Sequence, residues 1–148
     1  MRADKLIRKY NMEKHPEHGV FIERHYADHE NPRPASGSIY YYVAPGEHTE
    51  FHRIDCDEYW CHNAGSNLEI WVINQAGRLE QRICGAEGNA EPCVRFDKGE
   101  IFASRLPENA PDGAFVTCIT VPRFTYDGFE VISKEKMIQD YPETEKFW

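Results

Sequence analysis

The sequence predicts an all-β fold, a small barrel with a short helix at each end. Three observations carry this. From Val20 onward, apolar and β-branched residues come in short runs. Gly, Pro, Asn and Asp break those runs at short intervals. The stretches at helical spacing lie at the two ends, over residues 4–12 and 133–141. Many short strands with regular turns favour a sandwich or barrel.

At the start, Leu6, Ile7 and Tyr10 fall at helical spacing, with Asp4 placed to cap the helix. His15-Pro16-Glu17-His18-Gly19 then breaks it, and His15 is placed to tie down that turn. Val20-Phe21-Ile22 opens the first strand. The segment 31–37, from Asn31 to Gly37, reads as a loop. Residues 38–43 are rich in Tyr and β-branched side chains and read as a strand. Pro45-Gly46 is a turn signal. Further strands are expected at 50–54, 58–63, 68–74, 79–84, 93–96, 101–105, 115–121 and 129–132. Turn residues at 64–67, 75–77 and 111–113 separate several of them. The closing helix has Ser133 as N-cap and Pro142 beyond its end. No repeat or linker interrupts the chain, so residues 1–148 read as one domain.

The balance of 17 basic against 25 acidic residues gives a net charge of −8, which argues against nucleic acid or an anionic membrane as partner. There is no signal-peptide pattern and no apolar run long enough to span a bilayer. Cys56, Cys61, Cys84, Cys93 and Cys118 are an odd number with no CxxC pair. Reduced thiols in a cytoplasmic protein are the expectation, and a zinc ribbon is not. A regulatory disulfide between Cys56 and Cys61, across a turn, is one option.

One stretch carries chemistry by its spacing. Gly46 is followed after five residues by His52, then Ile54 two on, Glu58 after three more and Gly65 after six. This is similar to the first motif of the cupins, G-x5-H-x-H-x3-E-x6-G, with the second His replaced by Ile54. Asp97, Gly99 and Phe102 fit the frame of the second cupin motif, P-x-G-x-x-H, with Phe102 at the position of its His. More narrowly, the chain resembles the small fifth cupin-like family. The matching residues are His15-Pro16-Glu17, Phe21 and Glu23, Phe51-His52-Arg53, Asp57-Glu58-Tyr59-Trp60, Ala64-Gly65, Leu68-Glu69-Ile70, Cys118, Pro122, Phe124 and Phe129-Glu130-Val131. His18, His25, Cys61-His62 and Arg123 depart from the family pattern. The resemblance implies a double-stranded β-helix, or jelly-roll barrel, with a polar-aromatic pocket and a homodimeric assembly.

Within that frame His52 and Glu58 are the candidate catalytic pair. They are also the two surviving metal positions, with room for one divalent ion (Zn, Fe, Mn or Ni) that nothing requires. Residues two apart on a strand share a face, so His52 and Ile54 point together, as do Glu58, Trp60 and His62. His62 would complete a two-His-one-carboxylate set, but it lies about 13 Å along an extended strand from Glu58. Trp60, His62, Phe102 and Tyr40 are the candidate ligand-binding residues. Only one of Tyr40 and Tyr42, or Tyr41 alone, can face inward. His25 and His29 have no ligand spacing. Arg53 and Arg105 read as surface residues. The expected function is small-molecule binding, with sugar isomerase or epimerase chemistry as the enzymatic form. A non-catalytic binding or sensor module is the alternative.

Overall fold

The computed structural model describes residues 2–27 and 32–148; His29 and Asn31 lie outside them. The chain opens with α1 (Ala3–Tyr10). Eleven strands follow among the described residues: β1 (Glu13–Lys14), β2 (Val20–Tyr26), β3 (Gly37–Val43), β4 (His52–Ile54), β5 (Asp57–Gly65), β6 (Leu68–Ile73), β7 (Leu79–Cys84), β8 (Cys93–Phe96), β9 (Ile101–Arg105), β10 (Ala114–Val121) and β11 (Phe129–Val131). The chain ends in α2 (Lys134–Asp140) and a 3₁₀ turn, Pro142–Phe147.

Two sheets face each other. One runs β1-β2-β3-β10-β5-β8 and the other β11-β4-β9-β6-β7. Their inner faces alternate with their outer ones, as strand geometry requires. Tyr41, Val43, Trp60, Leu68, Ile70, Val72, Val116 and Cys118 point into the shared core. The intervening residues build two further clusters. Tyr42 and Phe115 pack outward under Leu6, Ile7 and Tyr10 of α1. Trp71, Ile73 and Ala103 pack outward under Met137 of α2 and Phe147. The central strands β3, β10 and β6 are therefore covered on both faces, which explains why they read as nearly continuous apolar runs.

The mostly-β class and the strand positions agree with the sequence, and β7, β8 and β9 agree to the residue. The two helix caps differ. Ser133 caps α2, its hydroxyl accepting from the Lys136 N–H at 3.2 Å. Asp4 does not cap α1: it lies inside the first turn, and Arg2 holds the N-cap position without a side-chain bond. A carboxylate there still favours the positive end of the helix. The two-residue strand β1 was not expected.

Candidate functional site

The two sheets part at one end around a cavity of about 660 Å³. β2, β3, β4, β5 and β10 form its walls, and Arg123 to Tyr126 form part of its rim. Arg33 clasps that rim. Its guanidinium pairs with Asp55 at 2.9 and 3.1 Å and donates to the Arg123 carbonyl at 2.5 Å. Arg123 itself pairs with Glu23.

His52, Ile54, Glu58 and Trp60 all line this cavity, so the first-motif spacing does gather its residues in one place. His52 is 4% exposed, Glu58 7% and Trp60 4%. Glu58 and Trp60 share the inner face of β5, and the indole N–H donates to Glu58 Oε1 at 2.8 Å. Burial pushes the Glu58 carboxyl up to about 7. The charge of His52 and the indole bond pull it down, and the charge of Glu17 adds to the rise.

Glu17 is the residue that sequence reasoning missed. It comes from the His15–Gly19 turn, is 8% exposed, and places Oε2 2.7 Å from His52 Nδ1. The Nδ1–H is directed at the Glu50 carbonyl, 2.9 Å away. Oε2 is thus beside the His52 ring without an aligned donor of its own. For His52, burial alone lowers the pKa. The charge and contact of Glu17, the Glu50 carbonyl and the charge of Glu58 more than offset it, and the net shift is upward. His52 therefore holds its Nδ1 proton and its positive charge to higher pH than a free imidazole.

His15 plays the opposite part. Its Nδ1 accepts from the Glu17 backbone N–H at 3.1 Å, which fixes the proton on Nε2. Burial lowers its pKa, with Glu17 raising it and His52 lowering it. His15 is neutral, and it sets the turn that delivers Glu17. The signal for Glu17 was the His-Pro-Glu run itself, a carboxylate between turn residues directly before a strand.

The remaining candidates fall elsewhere. Tyr40 faces outward, edge-on to Tyr10 at 4.9 Å and Phe115 at 5.5 Å. Tyr41 lines the cavity instead, 5.7 Å from Trp60, with its hydroxyl donating to the His18 carbonyl at 3.0 Å. Phe102 is 1% exposed and sits behind His52, at 4.4 Å between rings and stacked on Phe96 at 4.0 Å. It fills core rather than touching the cavity. His62 lies toward the far end of β5, just before a bulge, with Nε2 3.2 Å from the Gly65 carbonyl. Arg53 pairs with Glu130, and Arg105 with Glu69.

These residues do not fit a metal. A ligating imidazole must offer a lone pair, and the upward shift of the His52 pKa makes a metal compete with a proton there. Ile54 and Phe102 bring no donor, which leaves His52 and Glu58 as two potential ligands, fewer than a protein metal site uses. Among the described residues no three His, Cys, Asp or Glu side chains are grouped to hold an ion.

The sequence profile described as Cupin superfamily (DUF985) matches residues 4–132. A crystal structure of a protein from Shewanella oneidensis is 31% identical, with TM-score 0.90 over 99% of this chain and 94% of that one. A hypothetical protein from Leishmania major is 25% identical, with TM-score 0.89 over 98% and 95%. Oxalate decarboxylase from Bacillus subtilis is 16% identical, with TM-score 0.62 over 89% of this chain and 35% of that one, a likeness of fold alone. No curated protein matches.

Proposed function

We propose, for a chain that belongs to the DUF985 family of the cupin superfamily, that the cavity binds a small uncharged sugar-like metabolite and moves a proton at one of its carbons. One observation carries this reading: a buried carboxyl in the cavity wall whose pKa stands at about 7. Such a group is divided between acid and base at neutral pH, which suits general acid–base catalysis.

The parts take these roles. Glu58 as carboxylate removes a proton from the carbon next to a carbonyl. The C–H electrons pass to the carbonyl oxygen. The His52 imidazolium, held by Glu17, supplies positive charge to that oxygen, with Nε2 the ring atom left for a ligand. Glu58 then returns the proton on the same face to the neighbouring carbon, the isomerase outcome; an epimerase outcome requires the intermediate to turn its other face to Glu58 first. Trp60 and Tyr41 offer aromatic surface to the carbon skeleton.

The charge of the cavity narrows the ligand class. Glu13, Glu17, Glu23 and Glu58 all line it, and its Arg123 is already paired with Glu23. A dicarboxylate would meet repulsion there, whereas hydroxyl groups can donate to the carboxylates. A divalent metal is not part of this reading.

The test is calorimetry with neutral aldoses and ketoses against dicarboxylates, followed by NMR in D₂O. We expect binding of a neutral sugar and exchange of one carbon-bound hydrogen for deuterium. Glu58→Gln should keep binding and lose exchange. Glu17→Gln should lower the His52 pKa by at least about one unit, read by ¹⁵N NMR. The reading fails if no sugar binds, or if exchange survives Glu58→Gln. Tight binding without exchange would favour the alternative of a non-catalytic binding module. Ile54 and Phe102, at positions where the cupin motifs carry histidines, are the observation on its side.

A further inference from the structure

Outside the cavity, the sheet brings together two cysteines that lie 32 positions apart in the chain. Cys61 of β5 stands opposite Cys93 of the edge strand β8, with their sulfurs 3.3 Å apart. The register favours a bond between them. The His62 N–H donates to the Pro92 carbonyl at 2.8 Å, which makes that rung a hydrogen-bonded one. The adjacent rung, Cys61 with Cys93, is then of the non-hydrogen-bonded kind. Such pairs have Cα atoms about 4.5 Å apart. That falls within the roughly 4.4–6.8 Å that disulfides span.

We infer that Cys61 and Cys93 form a redox site, oxidised reversibly to a cross-strand disulfide by a low-molecular-weight disulfide. Access supports this. Cys93 is exposed and opens on a shallow groove lined by Arg82, Asn89, Glu91 and Arg95. Burial, together with the Cys93 thiol, pushes Cys61 up to about 11, so Cys93 is the attacking thiol. Its thiolate attacks one sulfur of oxidised glutathione and expels one glutathione thiolate. Cys61 then attacks the Cys93 sulfur of the mixed disulfide and expels the second. The two protons pass to the departing thiolates, and two electrons have moved from the protein to glutathione.

The other thiols are placed differently. Cys56, Cys84 and Cys118 are buried, and Cys84 points its S–H at the Trp60 carbonyl, 3.5 Å away. Cys56 therefore does not offer Cys61 the partner that the turn between them suggests. Cys61 alternates with Trp60 along β5, so the pair sits on the outer face, away from the cavity. The bond would staple β8, an edge strand, to the strand that carries Glu58.

The experiment treats the intact protein with oxidised glutathione and maps the products by mass spectrometry. The expected result is loss of two hydrogens per chain, a link between the Cys61 and Cys93 peptides, and a melting temperature several degrees higher that dithiothreitol reverses. Cys61→Ser should instead stop at a glutathione adduct on Cys93, and Cys93→Ser should not react. A stable glutathione adduct on the wild type, a link through Cys56 or Cys84, or dimers joined between chains would each overturn the inference.

Discussion

Glu58 and Glu100 are both buried within the β framework, at 7% and 4% exposure, yet their surroundings differ in kind. Glu100 receives both arms of the Arg82 guanidinium, at 2.9 and 3.0 Å, and the Asp97 N–H at 3.0 Å. Arg82 also pairs with Glu80, donates to the Arg95 carbonyl and lies over the Phe96 ring. Glu58 has one indole bond, and its nearest cation, His52, is shared with Glu17. A carboxylate that serves the framework is given a bidentate partner. A carboxylate left with one neutral donor in a cavity wall is poised to change its charge.

The largest effect should come from breaking the satisfied pair. Arg82→Met would leave the Glu100 charge buried against a single backbone N–H. We expect a loss of about 3 kcal/mol in urea unfolding. Replacing both residues, as Arg82→Met with Glu100→Leu, should recover most of it, because the unpaired charge goes too. A single-variant loss well below 1 kcal/mol would mean that Glu100 does not depend on Arg82.

Glu58 should behave in the opposite sense. Its folded pKa of about 7 lies above the ordinary 4.5 of an unfolded chain, so the folded state binds the proton more tightly. Stability from this group is full below pH 4.5 and falls as pH rises from 4.5 to about 7. Above that window the buried charge costs up to about 3 kcal/mol. His52, also shifted upward, adds stability that is present below its ordinary 6.5 and lost as pH rises beyond it. Glu58→Gln should therefore match the wild type near pH 4.5 and exceed it by about 2 kcal/mol at pH 8. Urea unfolding across that range checks this. A Gln variant that is less stable at pH 8 would place Glu58 among structural carboxylates such as Glu100.

How much of this was legible in the sequence follows from where each partner lies. The strands were legible because turn residues bound them and their apolar runs are short. His52, Ile54, Glu58 and Trp60 were legible because one continuous motif holds them, and strand alternation turns them to one face. The parity of Tyr40, Tyr41 and Tyr42 was not. α1 covers the outer face of β3, so both faces of that strand are apolar and aromatic side chains suit either. Phe102 reads in sequence as a ligand-binding residue at a motif histidine's position, but the sequence does not say that it packs behind the His52 ring and against Phe96. Glu17 was hidden by distance. Its partner His52 is 35 residues away, and the His-Pro-Glu run that carries it shows in sequence as a turn, with nothing to link it to His52. His62 shares the parity of Trp60 yet sits at the other end of the barrel, where a bulge after it alters the strand.

The smallest effect we expect is the most direct test of what holds Glu58 near neutrality. Trp60→Phe keeps an aromatic ring on the inner face of β5 and removes the one N–H that favours the ionised carboxylate. Burial and the charge of Glu17 remain, and both raise the pKa. The Glu58 midpoint should move further up, by less than about one unit, since a single neutral donor is withdrawn and no charge changes. Infrared difference titration of the protonated carboxyl band measures this directly. The pH midpoint of deuterium exchange on a bound sugar should move with it, to the alkaline side. A midpoint that fell would mean that the indole bond favours the protonated acid. Glu58 would then serve as an acid before it serves as a base.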